Sequence, residues 1–148
     1  MTNVTIDNAA KQPFMSLLRE LVWTYQAFDK VDNDGLRQFE VTQPQADVIF
    51  TLGNTGGLTF KEIGAQTLIT KGTLTGVVDR LEKKGQVKRV QGNDDRRCTR
   101  VVLTKKGEKL FTDIFPKHIA YMKQYFDKLS CNEIQTIERA LKKLRHIF

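Results

Sequence analysis

The sequence predicts a mainly α-helical fold that carries one small β-hairpin. Three observations support this. Apolar residues recur at three-and-four spacing through most of the 148-residue chain. Thr42 with Gln45, Thr59 with Glu62, and Ser130 with Glu133 each place a hydroxyl three residues before a glutamine or glutamate, the pairing that opens a helix. A single pair of β-rich runs, VKRVQ and RCTRVVL, flanks the polar connection GNDDR.

Taken in order, Phe14, Leu17, Leu18, Leu21, Val22, Tyr25 and Phe28 form one apolar stripe of a first helix, which is expected to end before VDNDG, where Asn33, Asp34 and Gly35 favour a turn. Thr42 then caps a helix through Val48, Ile49 and Leu52, with Pro44 tolerated in its first turn and Gly53, Gly56 and Gly57 beyond its end. Thr59 opens a short helix through Ile63 to about Thr67. After a turn near Leu68, Thr70 is placed to cap a further helix with Leu74, Val77, Val78 and Leu81 inward, stopped at Lys84-Gly85. Two short helices across a tight turn make a helix-turn-helix, and the hairpin follows it. Thr104 opens a long helix with a stripe from Phe111 through Ile114, Phe115, Ile119, Met122, Tyr125 and Phe126 to Leu129, and Pro116 is expected to bend it. Ser130 opens a last helix that turns Ile134, Ile137, Leu141, Leu144 and Phe148 inward. The first and last two helices hold more large apolar side chains than so small a core can cover, which predicts self-association through them.

The charge is +7 overall and unevenly spread. Residues 1–58 hold 4 basic and 7 acidic side chains, whereas residues 79–109 hold 11 basic and 5 acidic ones. A surplus concentrated on a helix and the hairpin beyond it predicts a polyanionic partner. Cys98 and Cys131 stand in no ligand spacing and no disulfide framework, and no run of about 18 apolar residues or export signal appears, so a cytoplasmic setting off the membrane is expected. His118 and His146 lack metal-ligand spacing, and no glycine loop or nucleophile motif is present. The expectation is therefore no enzyme, no metal and no cofactor, with His118 a helix-face residue.

On a helical wheel the residues opposite Leu74, Val77, Val78 and Leu81 are Gly72, Thr73, Thr75, Gly76, Arg80 and Lys83. Threonines suit base edges and thymine methyls, glycine admits a close backbone, and Arg80 and Lys83 reach phosphates or guanine. At the hairpin tip, Arg96 and Arg97 sit where a guanidinium can enter a minor groove, with Asp95 placed to support Arg97.

The stretch VVDRLEKKGQVKRVQGNDDRRCTRVVLTKKG resembles the recognition-helix and wing segment of the MarR family of winged helix-turn-helix regulators. The likeness rests on Asp79-Arg80-Leu81, Gly85, Asp95-x-Arg97, Leu103-Thr104 and Gly107, with matching helix order over about residues 11–147. Thr70 departs from the pattern, because some members carry there an acidic residue that braces the wing arginine. The resemblance implies one MarR-like domain over 1–148, with a winged helix-turn-helix DNA-binding lobe at 42–104 and a helical dimerisation lobe formed by 11–30 and 105–148. It implies a cytoplasmic homodimer, a repressor of transcription, on a pseudo-palindromic double-stranded operator whose half-sites lie one helical turn, about 34–36 Å, apart. Together the two readings assign DNA binding to Thr70, Lys71, Thr73, Thr75, Gly76, Arg80, Lys83, Lys88, Arg89, Asp95, Arg96 and Arg97. Family members commonly release DNA when a small aromatic effector binds or a cysteine is oxidised. Trp23, Tyr25, Phe28 and Phe39 are candidates to line an effector pocket, although aromatics at helical spacing are more often plain core. Redox sensing through Cys131 or Cys98, and a winged-helix protein-interaction module without DNA binding, are the alternative readings.

Overall fold

Capping chemistry sets where most helices begin. The computed structural model describes residues 3–92 and 98–148, in the order α1 (Ile6–Ala9), α2 (Met15–Leu36), α3 (Gln43–Leu52), β1 (Leu58–Thr59), α4 (Phe60–Gln66), α5 (Lys71–Lys83), β2 (Val87–Gln91), β3 (Thr99–Leu103), α6 (Lys105–Phe126) and α7 (Cys131–Arg145). The amides of Gln45, Glu62 and Glu133 donate to the hydroxyls of Thr42, Thr59 and Ser130, and each N3 side chain accepts from the cap's own amide, so all three expected boxes form. Thr104 caps α6 by accepting from the Gly107 amide at 3.1 Å. Thr70 stands at the N-cap of α5 but makes no such bond, because its hydroxyl donates to the Thr73 hydroxyl at 3.0 Å instead.

The core is the junction of α3, α4 and α5 with the sheet. Val48, Ile49 and Leu52 of α3, Ile63 of α4, and Leu74, Val77, Val78 and Leu81 of α5 are buried against Val87 of β2, Val101 of β3 and Phe111 of α6. The expected two-stranded hairpin is one part of a three-stranded antiparallel sheet, ordered β1-β3-β2, in which Leu58 pairs with Val101 and Thr59 with Arg100. Two residues give no alternation to read, and Thr59 also begins the next helix, so β1 carries no signal of its own in the sequence. Along β2, Val87 faces the core while Lys88 and Arg89 point to opposite faces, as strand alternation requires.

The first long helix differs from expectation at its end. VDNDG does not terminate it, and α2 runs on to Leu36. The Asn33 side-chain amide donates to the Asp29 carbonyl at 2.9 Å and to Gln43 Oε1 at 3.0 Å, so its hydrogen bonds serve the helix and its neighbour α3. Gly35 is buried beneath the Tyr121 ring, in space that a Cβ would fill, so it permits close approach of α2 to α6 where the sequence suggested a turn. Pro116 lies inside α6, which continues unbroken from Lys105 to Phe126.

His118 is a correction of a larger kind. It is 4% exposed, and its Nε2 donates to Asp32 Oδ1 of α2 at 2.7 Å. Gln43 Nε2 of α3 donates to Asp32 at 2.9 Å and to Asp29 at 3.1 Å. This polar network joins α2, α3 and α6 beside the Phe50 and Tyr121 rings. Half-buried Asp47 borders it, and burial, together with the Asp32 and Asp29 charges, raises its carboxyl to about 6 against the opposing pull of His118.

The expectation that α7 turns its apolar stripe inward is also corrected. None of its residues is buried, and Ile134, Ile137 and Leu141 stay exposed. Leu17, Leu18, Leu21, Val22 and Trp23 of α2, and Ile119, Tyr125 and Phe126 of α6, are exposed as well. The single chain provides no cover for these faces.

Two stability predictions follow from the packing. A Cβ at Gly107 would overlap the backbone carbonyl of Gln86, whereas one at Gly64 in α4 would meet nothing within 4 Å. Gly107→Ala is expected to cost about 1–3 kcal/mol, and Gly64→Ala to be neutral or to stabilise by up to about 1 kcal/mol, in denaturant melts at equal protein concentration. Equal effects would show that Gly107 is not a packing constraint. For Asp47, a carboxyl raised from the usual 3.8 to about 6 makes ionisation unfavourable in the fold, so the cost grows as pH rises through that window and is complete above it. After allowing for solvent screening, Asp47→Asn should stabilise the protein by on the order of 1 kcal/mol at pH 7.5 and by progressively less towards pH 4. A pH-independent gain would refute the assignment.

Candidate nucleic-acid interface

The surface is built on α5. Its inward stripe, Leu74, Val77, Val78 and Leu81, is fully buried, which fixes the helix about its own axis and turns the opposite face to solvent. Thr73, Thr75, Arg80 and Lys83 are exposed and Gly76 is half-buried on the side away from that stripe, while Thr70 and Lys71 are exposed at the start of the helix. Thirteen residues make a rod about 20 Å long, which fits a major groove. Arg80 and Lys83 occupy the last turn, where cations complement the helix dipole, and after Lys71 the first two turns expose small hydroxyl and glycine surfaces.

Arg89, also assigned to DNA, is paired within the protein rather than left free at this surface. Its guanidinium donates to Asp79 Oδ1 at 2.6 Å and Glu82 Oε1 at 2.7 Å, both on α5, and lies 5.6 Å from the centre of the Phe60 ring of α4. The Arg89 amide also donates to Glu82 Oε2 at 3.2 Å. Paired donors and acidic neighbours raise the guanidinium further above its ordinary range and keep it charged. The side chain is therefore a brace between the recognition helix, α4 and the strand that leads into the hairpin. Lys88, exposed on the other face of β2, lines a separate concavity of about 530 Å³ with Glu108 and Thr112 of α6. Near the hairpin tip the Gly92 amide donates to the Cys98 carbonyl at 3.0 Å. Asp95, Arg96 and Arg97 lie outside the described residues.

The aromatic candidates separate into two cavities. Trp23 and Phe28 line one of about 500 Å³ with Met122, Tyr125 and Phe126 between α2 and α6. Tyr25 and Phe28 line another of about 330 Å³, with Asp32, Gln43, Asp47 and Phe50, where α2 meets α3 and the α4–α5 turn. Phe39 is half-buried and lines neither. Trp23, Tyr25 and Phe28 are 59%, 47% and 44% exposed, so the reading of these three as plain core does not hold for the single chain. Sequence reasoning missed Asp32, Gln43, Asp47 and His118, which come from three helices up to 86 residues apart and share no spacing. It also missed the Asp79–Arg89 pair, although a basic residue ten positions after an acid across a helix stop was there to be weighed.

Cys98 is half-buried immediately before β3 and Cys131 is exposed at the first position of α7. Among the described residues no group of three His, Cys, Asp or Glu side chains is arranged to hold a metal ion. Among the described residues no helix is long and apolar enough to cross a membrane.

Comparison with known proteins agrees with this geometry. The MarR family model matches residues 41–99, the span from α3 to the start of β3. An HTH-type transcriptional regulator of Bacillus subtilis, YsmB, is 31% identical over 111 residues, covering 75% of this chain and 76% of the relative. The crystal structure of the transcriptional regulator PA4135 superposes with a TM-score of 0.77 at 25% identity, over 93% of this chain and 99% of that one. NadR, crystallised in complex with 4-hydroxyphenylacetate, superposes with a TM-score of 0.72 at 25% identity, over 97% of this chain and 94% of that one. With a relative of this identity and coverage, a family match across the reading head and the winged helix-turn-helix itself, the chain belongs to the MarR family of DNA-binding transcriptional regulators, which are not enzymes.

Proposed function

We propose that the protein is a repressor that holds a pseudo-palindromic operator as a homodimer and releases it when a small aromatic effector binds. The observation that carries the reading is the exposed Thr-Gly-Arg face of α5, held at a fixed angle by the Arg89 brace. Thr73, Thr75 and Gly76 are assigned to base edges, Thr70 and Lys71 to the entry of the helix, and Arg80 and Lys83 to phosphates. In this reading Arg97, supported by Asp95 and flanked by Arg96, enters the adjoining minor groove. The winged helix-turn-helix lobe is 42–104 within a single domain, and the helical lobe is 11–30 with 105–148.

Dimerisation is supported by the uncovered apolar faces of α2, α6 and α7, which a second copy would bury. An effector site is supported by the two cavities beside these helices, both within the range that small ligands occupy. NadR, crystallised with the phenolic acid 4-hydroxyphenylacetate, has a similar fold. The proposed setting is cytoplasmic.

Three outcomes test the DNA model, each read by anisotropy titration of a duplex taken from the intergenic DNA upstream of the gene. Arg80→Ala and Lys83→Ala should weaken binding and lower the slope of log affinity against log salt by about 1 each, and an unchanged slope would remove them from the phosphate contacts. Arg97→Ala should sharply reduce operator affinity with the fold intact, and unchanged affinity would exclude the wing. Glu82→Ala should also weaken binding, by about tenfold or more, even though it removes a negative charge from a DNA-facing surface. Tighter binding by that variant would show that Arg89 is an ordinary phosphate ligand once freed, and that the brace does not position the helix.

A further inference from the structure

The cavity of about 330 Å³ at the junction of α2, α3 and the α4–α5 turn is one-sided in charge. Tyr25, Phe28 and Phe50 form its aromatic wall, and Asp32, Gln43 and Asp47 its polar wall. No Lys, Arg or His is among the described residues that line it. Gln43 is already committed, since its Nε2 serves Asp32 and Asp29 and its Oε1 accepts from Asn33, while Thr51, Gln66 and Thr67 add uncharged polar lining. His118 serves Asp32 from α6, and its Nδ1 is buried without a partner. The Asp47 carboxylate accepts no hydrogen bond among the described residues.

We propose that this cavity takes a small aromatic cation, with the ring against Tyr25, Phe28 and Phe50 and the ammonium at Asp47 and Asp32. This rests on the reading that an aromatic effector regulates the protein, and it names the charge of that effector. Three physical arguments support it. An anion would enter a half-buried space that already holds two carboxylates and has Asp29 behind them, with no lining cation to offset it. A cation would relieve that repulsion and also gain the electron-rich faces of the aromatic wall. The Asp47 carboxyl, raised to about 6 by burial and by Asp32 and Asp29 while His118 opposes, is a group whose surroundings call for positive charge.

The same position provides a route to DNA release. A neighbouring cavity of about 260 Å³ shares Tyr25, Gln43, Asp47 and Leu68 with the first and reaches Thr70 and Thr73 at the start of α5. A cation bound at Asp47 therefore sits next to the positive end of the recognition-helix dipole, which disfavours the seating of that end. Thr73, assigned to base reading, is in the wall that would move.

Three probes share a phenol ring and differ in the charge of the tail: tyramine is a cation, tyrosol is neutral and 4-hydroxyphenylacetate is an anion. Titration calorimetry on the full chain should find tyramine bound at least about tenfold more tightly than the other two. Its affinity should rise from pH 5 to pH 7.5 as Asp47 ionises, and tyramine should release duplex DNA. Asp47→Asn should abolish the preference and the pH dependence, and Asp47→Glu should restore both, with circular dichroism confirming that each variant is folded. Tyrosol or 4-hydroxyphenylacetate binding as tightly as tyramine would overturn the cation inference and leave an aromatic effector standing. Tyramine binding that is indifferent to Asp47→Asn would overturn the assigned site. Binding by none of the three would overturn both the inference and the effector reading on which it rests.

Discussion

The Arg89 guanidinium is the interaction on which the reading surface depends, because one side chain ties α5, α4 and the hairpin together through directional contacts. Its energetic worth is modest. The side chains are 29%, 52% and 42% exposed for Arg89, Asp79 and Glu82, and pairs so exposed to water contribute at most about 1 kcal/mol each. Its geometric worth is larger, since a planar fork held at both ends, with an aromatic ring beneath it, permits few orientations of the strand relative to the helix. In the proposed DNA model the helix and the wing enter adjacent grooves at once. A small rotation between them that barely changes stability would separate the two contacts, so the brace matters for recognition more than for folding.

The hydrophobic account divides the molecule in two. The reading head closes its own core, with Ile49, Leu52, Ile63, Val78 and Leu81 at or below 1% exposure. The helical part leaves Leu17, Trp23, Phe126, Ile137 and Leu141 between 47% and 59% exposed. The two parts meet at α2, α3 and α6, and there the join is polar: His118, Asp32, Gln43 and Asn33 in one network, with Gly35 beneath Tyr121. A polar joint between an apolar core and exposed apolar helices suits the proposed regulation, because hydrogen bonds and charges can be re-paired by a ligand, whereas close-packed apolar surfaces resist small displacements.

Most of the fold was legible because its signals are local. Capping boxes at Thr42, Thr59 and Ser130, and the stripe on α5, need only neighbours three or four residues away, and all four appear as read. What escaped reading depends on distant partners. VDNDG has turn composition, yet its Asn33 bonds to Gln43 and its Gly35 packs under Tyr121, so tertiary contacts overrule local preference. Strand β1 exists only because β3 offers it an edge. His118 reads as a helix-face residue until Asp32, 86 positions earlier, is placed beside it. At the DNA surface, the face of α5 was readable from periodicity, but the difference between Lys88 and Arg89 was not. Both are basic residues on one strand, and only the sheet's alternation separates the one lining a rear concavity from the one bracing the helix.

That contrast bears on how charge should be read in such a protein. The excess of 11 basic over 5 acidic residues in 79–109 points to DNA, yet Asp79 and Glu82 within it are not a dilution of the basic field. They hold Arg89 in place and so convert one unit of non-specific attraction into orientation. The acidic excess of residues 1–58 acts in the complementary direction. Asp29, Asp32 and Asp47 gather at the joint between the helices and the reading head, where their repulsion is offset only in part by His118 and Gln43. In the proposed model the basic half thus faces DNA, and the acidic half leaves unbalanced negative charge at the place where the head meets its support. A device that must bind one charged partner and respond to another is simplest when the two fields are kept apart in this way, since neither partner then competes for the other's site.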